Sequence, residues 1–139
     1  GPVVMLFQAR GDPERKNGHG QLSLGAGSDV LPKWSVDRVA DRPRTPYVPV
    51  AVARVDEMWL RVAWCLGEAN WHVHPEHDEM LFVADGRLGV ATPSASLAAK
   101  TDDLLVIPRG QIHRLTSSRD ATVLSLIHGE VPLKGQMGR

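Results

Sequence analysis

The sequence predicts an all-β domain, a sandwich or barrel of short antiparallel strands behind an irregular N-terminal arm. Three observations carry that expectation. From about residue 50, short runs rich in β-branched and large apolar residues recur at fairly regular intervals, separated by Gly, Pro, Asp and Asn. No stretch after residue 50 sustains a helical period. Asp85-Gly86, lying between two such runs, is the strongest short hairpin signal in the chain.

Taken in order, Gly1 and Pro2 read as a protease scar, with native numbering expected to begin near Met5, so residues 1–4 are set aside. Residues 8–30 are rich in Gly, Asp, Asn and Ser with little periodicity, and read as a loose arm. Residues 40–49, ADRPRTPYVP, carry three prolines and cannot be a helix interior. Strands are expected at VAVARV (50–55), MWLRVAWCL (58–66), EMLFVA (79–84), RLGVAT (87–92), DLLVIP (103–108), IHRLTS (112–117) and ATVLSLIH (121–128). The strand starting at Glu79 should be joined to its neighbour as a hairpin through Asp85-Gly86. Pro108-Arg109-Gly110 is a second tight turn. The domain organisation that follows is an arm over 1–30, a β domain over 31–130 and a mobile tail over 131–139.

The 139 residues suit one domain with a real core. Lys plus Arg and Asp plus Glu number 16 each, and this balance argues against a nucleic-acid or membrane-surface partner. No apolar run approaches a membrane span and no secretion signal is visible. Cys65 stands alone, cannot form an internal disulfide and reads as a small buried apolar residue, so a reducing cytoplasm is the expected compartment.

The chemistry concentrates in WHVHPEHDEMLFVADG, residues 71–86. Alternate side chains of a strand share a face, so His72 and His74 can offer two ring nitrogens to one metal. Pro75 breaks the ladder, and Glu79 opens the next strand with a carboxylate able to return to the same space. His113, after the Pro108–Gly110 turn, can supply a third imidazole from across a barrel. Three imidazoles and one carboxylate suit one divalent ion of Fe, Mn, Ni, Cu or Zn, with room for water or substrate.

Both stretches resemble the two motifs of the cupin superfamily, in particular its small single-domain members. The first family motif, Gly, a short spacer, His-x-His, three or four residues, Glu, six residues, Gly, reads here as GEANWHVHPEHDEMLFVADG over 67–86. The second, Gly, five residues, Pro-x-Gly, two residues, His, three residues, Asn, reads as DDLLVIPRGQIHRLTS over 102–117. The spacer after Gly67 is one residue short, Asp102 stands for the Gly and Ser117 for the Asn. None of these is a ligand position. The resemblance covers roughly residues 50–128 and implies a jelly-roll β-barrel with His72, His74, Glu79 and His113 as metal ligands.

It also implies a small-molecule ligand, and it allows dioxygenases, isomerases, decarboxylases, lyases, cyclases and non-catalytic binders. A metalloenzyme with oxygen chemistry is placed slightly ahead, because four protein ligands leave two positions on an octahedral ion. A non-redox isomerase, lyase or cyclase is the alternative, and a metal- and ligand-holding protein without turnover is the third. His77 and Glu76, on the loop between ligands, are the candidate acid–base groups, as against plain solvated loop residues. Trp64, Arg109 and His128 are candidate substrate contacts. Tyr47 lies in the Pro-rich entry segment, so no barrel-borne tyrosine acid is expected. No DNA-binding extension is visible. A homodimer is expected, formed by paired sheets or by exchange of the segment between Val30 and Val55.

Overall fold

The structure, a computed structural model, describes residues 1–8 and 31–129. The predicted arm (8–30), all but its first residue, and the predicted tail (131–139) therefore lie outside the described residues. Contacts divide the chain into two units, Gly1–Lys33 and Trp34–Arg139. In the first, the described residues are exposed and without regular secondary structure. No helix among the described residues is long and apolar enough to cross a membrane.

The second unit opens with one helical turn, α1 (Val36–Val39), whose Val39 is buried. Seven strands follow: β1 (Val50–Val55), β2 (Met58–Glu68), β3 (Glu79–Asp85), β4 (Arg87–Ala91), β5 (Ser96–Lys100), β6 (Leu104–Ile107) and β7 (Arg114–His128). They form one antiparallel sheet in the order β1-β2-β7-β3-β6, with β4 between β7 and β5. The two ends of that path are not paired with each other, so the jelly-roll wrap stays open along a seam.

The strands form where the side-chain period of two puts apolar residues inward. In β3, Glu79, Leu81 and Val83 are buried while Met80, Phe82 and Ala84 are less so; in β7, Ala121, Val123 and Ser125 do the same. Leu88 and Val90 repeat the pattern in β4. Leu81, Val83, Leu88, Val90, Ala121 and Val123 make one core cluster with Cys65, Ala99 and Ile107, against which Tyr47, Ala63, Leu105 and Leu115 pack.

Three local expectations are corrected. The runs at 112–117 and 121–128 are one long strand, β7, and the polar residues between them bulge rather than turn: pairing to β2 jumps from Cys65↔Ala121 to Gly67↔Ser117. β5 was not expected at all. Its sequence, SLAAK, has little β propensity, and five partners on β4 impose the strand.

The third correction concerns Asp85-Gly86. β3 and β4 do not pair with each other; both pair with β7, β3 with its C-terminal half and β4 with residues 114–116. The chain therefore runs on through Gly86 in one direction, and Gly86 is a bend facing the β7 bulge. It has φ +98, and a Cβ there would meet the Asp120 carbonyl oxygen at 2.9 Å and Ala121 Cα at 3.0 Å. Glycine is needed for close backbone approach at a corner of the sheet, not for a two-residue turn. Gly86→Ala is expected to cost about 2 kcal/mol in urea unfolding, since it combines a forbidden φ with a backbone clash. A loss under about 0.5 kcal/mol, the size of an ordinary surface change, would show that the corner relaxes freely.

The Pro108–Gly110 turn forms as expected, with Gln111 N–H donating to the Pro108 carbonyl at 3.1 Å. Asp102, which stands where the family motif has glycine, takes φ +75. Aspartate tolerates this left-handed conformation better than most residues, so the turn survives the departure.

Candidate metal centre

His72 and His113 are brought together by an isolated β-bridge in which each backbone N–H donates to the other's carbonyl at 2.9 Å. Gly110 N–H donates to the His74 carbonyl at 2.9 Å, which ties the second-motif turn to the first motif. The imidazoles then converge: centroids of His72 and His113 lie 4.1 Å apart, His72 and His74 5.2 Å, His74 and His113 5.7 Å. One ligand atom from each lies within 4.8 Å of the others.

The hydrogen bonds assign ring atoms. His113 Nδ1 sits 2.8 Å from the Gln111 carbonyl, and His72 Nδ1 3.1 Å from the Asn70 carbonyl. A carbonyl only accepts, so each Nδ1 carries a proton, which in the neutral ring leaves the lone pair on Nε2. His113 Nε2 is buried without a partner, on a residue with 0% exposure. Burial, with a smaller push from His72, lowers the His113 pKa despite the Gln111 carbonyl. A neutral imidazole with a bare, buried lone pair beside two others fits a transition-metal ion.

Glu79 stands against this set. Its Oε1 is 3.3 Å from His74 Nε2, while Oε2 accepts from Arg61 Nη2 at 2.9 Å and from the Ser125 hydroxyl at 2.7 Å. Burial alone would raise its pKa. Hydrogen bonds from His74 and Ser125 and the Arg61 charge outweigh that and bring it down to about 2. The carboxylate is therefore ionised, with one oxygen committed to the protein and the other turned to the imidazoles.

Arg61, His72, His74, Glu79 and Ser125 line one cavity of about 440 Å³, walled by Ala63, Cys65, Leu81, Leu115, Val123 and the Pro46–Pro49 segment. Three polar lining residues, Arg61, Ser125 and Tyr47, were not expected. Arg61 shares the cavity-facing phase of Ala63 and Cys65 on β2 and pairs in register with Ser125 of β7, a phase the sequence does not mark, because Val62 on the other phase is buried as well. Tyr47 reaches the cavity from the Pro-rich segment, held at φ +63, and its hydroxyl donates to the Gly67 carbonyl at 2.6 Å. Burial, then nearby Cys65 and Glu68, pushes its pKa above the ordinary tyrosine value.

The other candidates are not brought to the cavity. Trp64 lies on the opposite phase of β2, and its indole donates to Asp120 at 2.9 Å. Arg109 is exposed, and both its backbone N–H (2.8 Å) and its Nε (3.5 Å) approach Asp78. His77 packs against His128 with centroids 4.6 Å apart, and His128 Nε2 lies 2.8 Å from Glu57. Glu76 is exposed on the loop. A strand end or loop can face either way, and the sequence offered no signal for which.

A family model described as a cupin domain matches residues 66–127, a span that contains both motifs. The uncharacterized protein YdbB of Bacillus subtilis (strain 168) is 31% identical over 80 residues, which are 57% of this chain and 71% of that protein. A cupin-2 domain containing protein from Shewanella frigidimarina superposes with a TM-score of 0.59 at 22% identity, covering 63% of this chain and 84% of that one. Protein NMB1881 from Neisseria meningitidis gives 0.65 at 18% identity, covering 70% and 100%. These two structures speak to the fold alone. Motifs, family model and fold agree, and the chain belongs to the cupin family.

Proposed function

We propose that the chain binds one divalent transition-metal ion through His72, His74 and His113, with Glu79 Oε1 as a fourth donor, and uses it to act on a small organic molecule held in the cavity. The observation that carries this reading is the buried, unpartnered Nε2 of His113 inside the three-imidazole set. When bound, such an ion supplies Lewis-acid polarisation and, if iron, access to oxygen chemistry.

The chain's own residues do the rest. The Asn70 and Gln111 carbonyls hold two rings in one orientation, Arg61 and Ser125 fix the Glu79 carboxylate, and Leu81, Leu115 and Val123 give the cavity an apolar wall. A cavity of this size takes a small molecule.

Oxygen chemistry stays ahead of a non-redox isomerisation or elimination in this reading, because the lining is poor in free bases. The Tyr47 hydroxyl is committed to Gly67, burial pushes the Cys65 thiol up to about 12, and Glu68 at the rim pairs with Arg114 at 3.2 Å. The three residues nominated as bases, His77, Glu76 and His128, do not line the cavity.

The test is elemental analysis of protein purified without a His tag or chelating column, followed by anaerobic loading and oxygen uptake. About one ion per chain is expected, as for a single site. Oxygen uptake by the Fe(II)-loaded protein would support the oxygen reading; metal-dependent ligand stabilisation without turnover would favour a binding protein. Absence of bound metal after anaerobic Fe(II), Mn(II) and Zn(II) addition overturns the proposal.

A further inference from the structure

Arg61 is the one cavity residue that the metal reading leaves underused. Its side chain is 12% exposed, in a cavity whose wall also holds Ala63, Leu81 and Val123. Nη2 makes both of its hydrogen bonds, to Glu79 and Ser125, while Nε is buried with no partner. A guanidinium has five N–H donors, and desolvating it for one shared carboxylate is a poor trade unless something else completes its shell. Its position supplies the rest of the argument: Glu79 bridges it to His74, with one oxygen 2.9 Å from Arg61 and the other 3.3 Å from the imidazole.

Charge counting points the same way. Arg61 and Glu79 cancel, and metal-bound imidazoles are neutral, so a divalent ion leaves two uncompensated positive charges in a cavity walled mainly by apolar side chains. Glu68 does not supply the balance, since it faces Arg114 at 3.2 Å.

We propose that the cavity is built for a small organic anion, a carboxylate whose charge lies between the metal ion and the Arg61 guanidinium. This rests on the metal reading above and names the substrate class for it. The carboxylate meets the guanidinium where Arg61 lines the cavity, and any second donor atom on the molecule reaches the ion. The apolar wall sets the size of the remainder.

The experiment uses the Zn(II)-loaded full chain, with malonate as probe and malonamide as its uncharged counterpart. Metal content is measured first, so that failure of the metal reading is seen on its own. By calorimetry, malonate should bind the wild type at least about tenfold more tightly than it binds Arg61→Gln with equal zinc content, the size expected for loss of a charge-assisted contact. Malonamide should differ less than about twofold between them, which a merely structural role for Arg61 would not produce. Arg61→Lys, which keeps the charge and is the fallback if the glutamine variant does not fold, should fall between. Equal malonate affinity in loaded wild type and variant, or malonate binding no better than malonamide in the wild type, overturns the inference.

Discussion

Protein carrying His113→Ala is expected to lose its metal, with affinity at least about 100-fold below wild type, beyond what changing an outer partner of a ligand costs. His113 is fully buried, its Nδ1 proton is fixed on the Gln111 carbonyl, and its Nε2 has no protein acceptor or donor. Removing it takes away the one imidazole that joins the second motif to the first. His72, His74 and Glu79 would then remain, all from the first motif, and hold a divalent ion far less well than the complete converging set. Since alanine also leaves a void, His113→Gln is the second variant and should lose metal with a smaller loss of stability. His77→Ala is the control and should keep full metal content, because His77 packs on His128, away from the cavity. Metal retained in both His113 variants would remove this residue from the ligand set.

Arg61→Met should destabilise the metal-free protein by about 3 kcal/mol at pH 7, the cost of leaving a buried carboxylate without its cation. Glu79 is 5% exposed and would keep only Ser125 and His74. The double variant Arg61→Met with Glu79→Gln should recover most of the loss, because no charge then remains unpaired. The pH dependence reads the same carboxylate, whose pKa is lowered by hydrogen bonds from His74 and Ser125 first and by the Arg61 charge after them. The folded pKa of Glu79 is depressed from 4.5 to about 2, so its ionisation favours the folded state above pH 4.5. That contribution, about 3 kcal/mol at 1.36 kcal/mol per unit, should disappear as the pH falls from 4.5 through about 2. In Arg61→Met the Glu79 pKa rises and the acid loss should begin at higher pH. Urea unfolding between pH 7 and 2 measures both, and an Arg61→Met curve superimposed on the wild type would show that the ion pair contributes nothing net.

Much of the domain was legible in the chain because strand formation is local. EMLFVAD and ATVLSLIH read as strands, but both phases of each carry apolar residues, and it is Leu81, Val83, Ala121 and Val123, rather than Met80 and Phe82, that are buried. The convergence of His72, His74 and His113 was legible because the first two stand two residues apart and the third follows a turn whose chemistry is explicit, although His72 and His74 lie outside the named strands and a single bridge to His113 places them. Arg61 was not legible as a cavity residue, because Val62 on the opposite phase of β2 is fully buried too.

What the chain path does between strands was decided by tertiary structure. Asp85-Gly86 carries a hairpin signature, yet β7 offers pairing to both β3 and β4, and those long-range ladders hold the chain straight through the glycine. β5 exists because β4 pairs with it, against the preference of its alanines. Ser125 meets Glu79 and Arg61 only because β7 lies between β2 and β3, a register set by residues far apart in sequence. Tyr47 enters the cavity, and Trp64, Arg109 and His128 leave it for Asp120, Asp78 and Glu57, for the same physical reason. Period and turn chemistry say which way a side chain points relative to its neighbours, and only the pairing of distant strands says what it then meets.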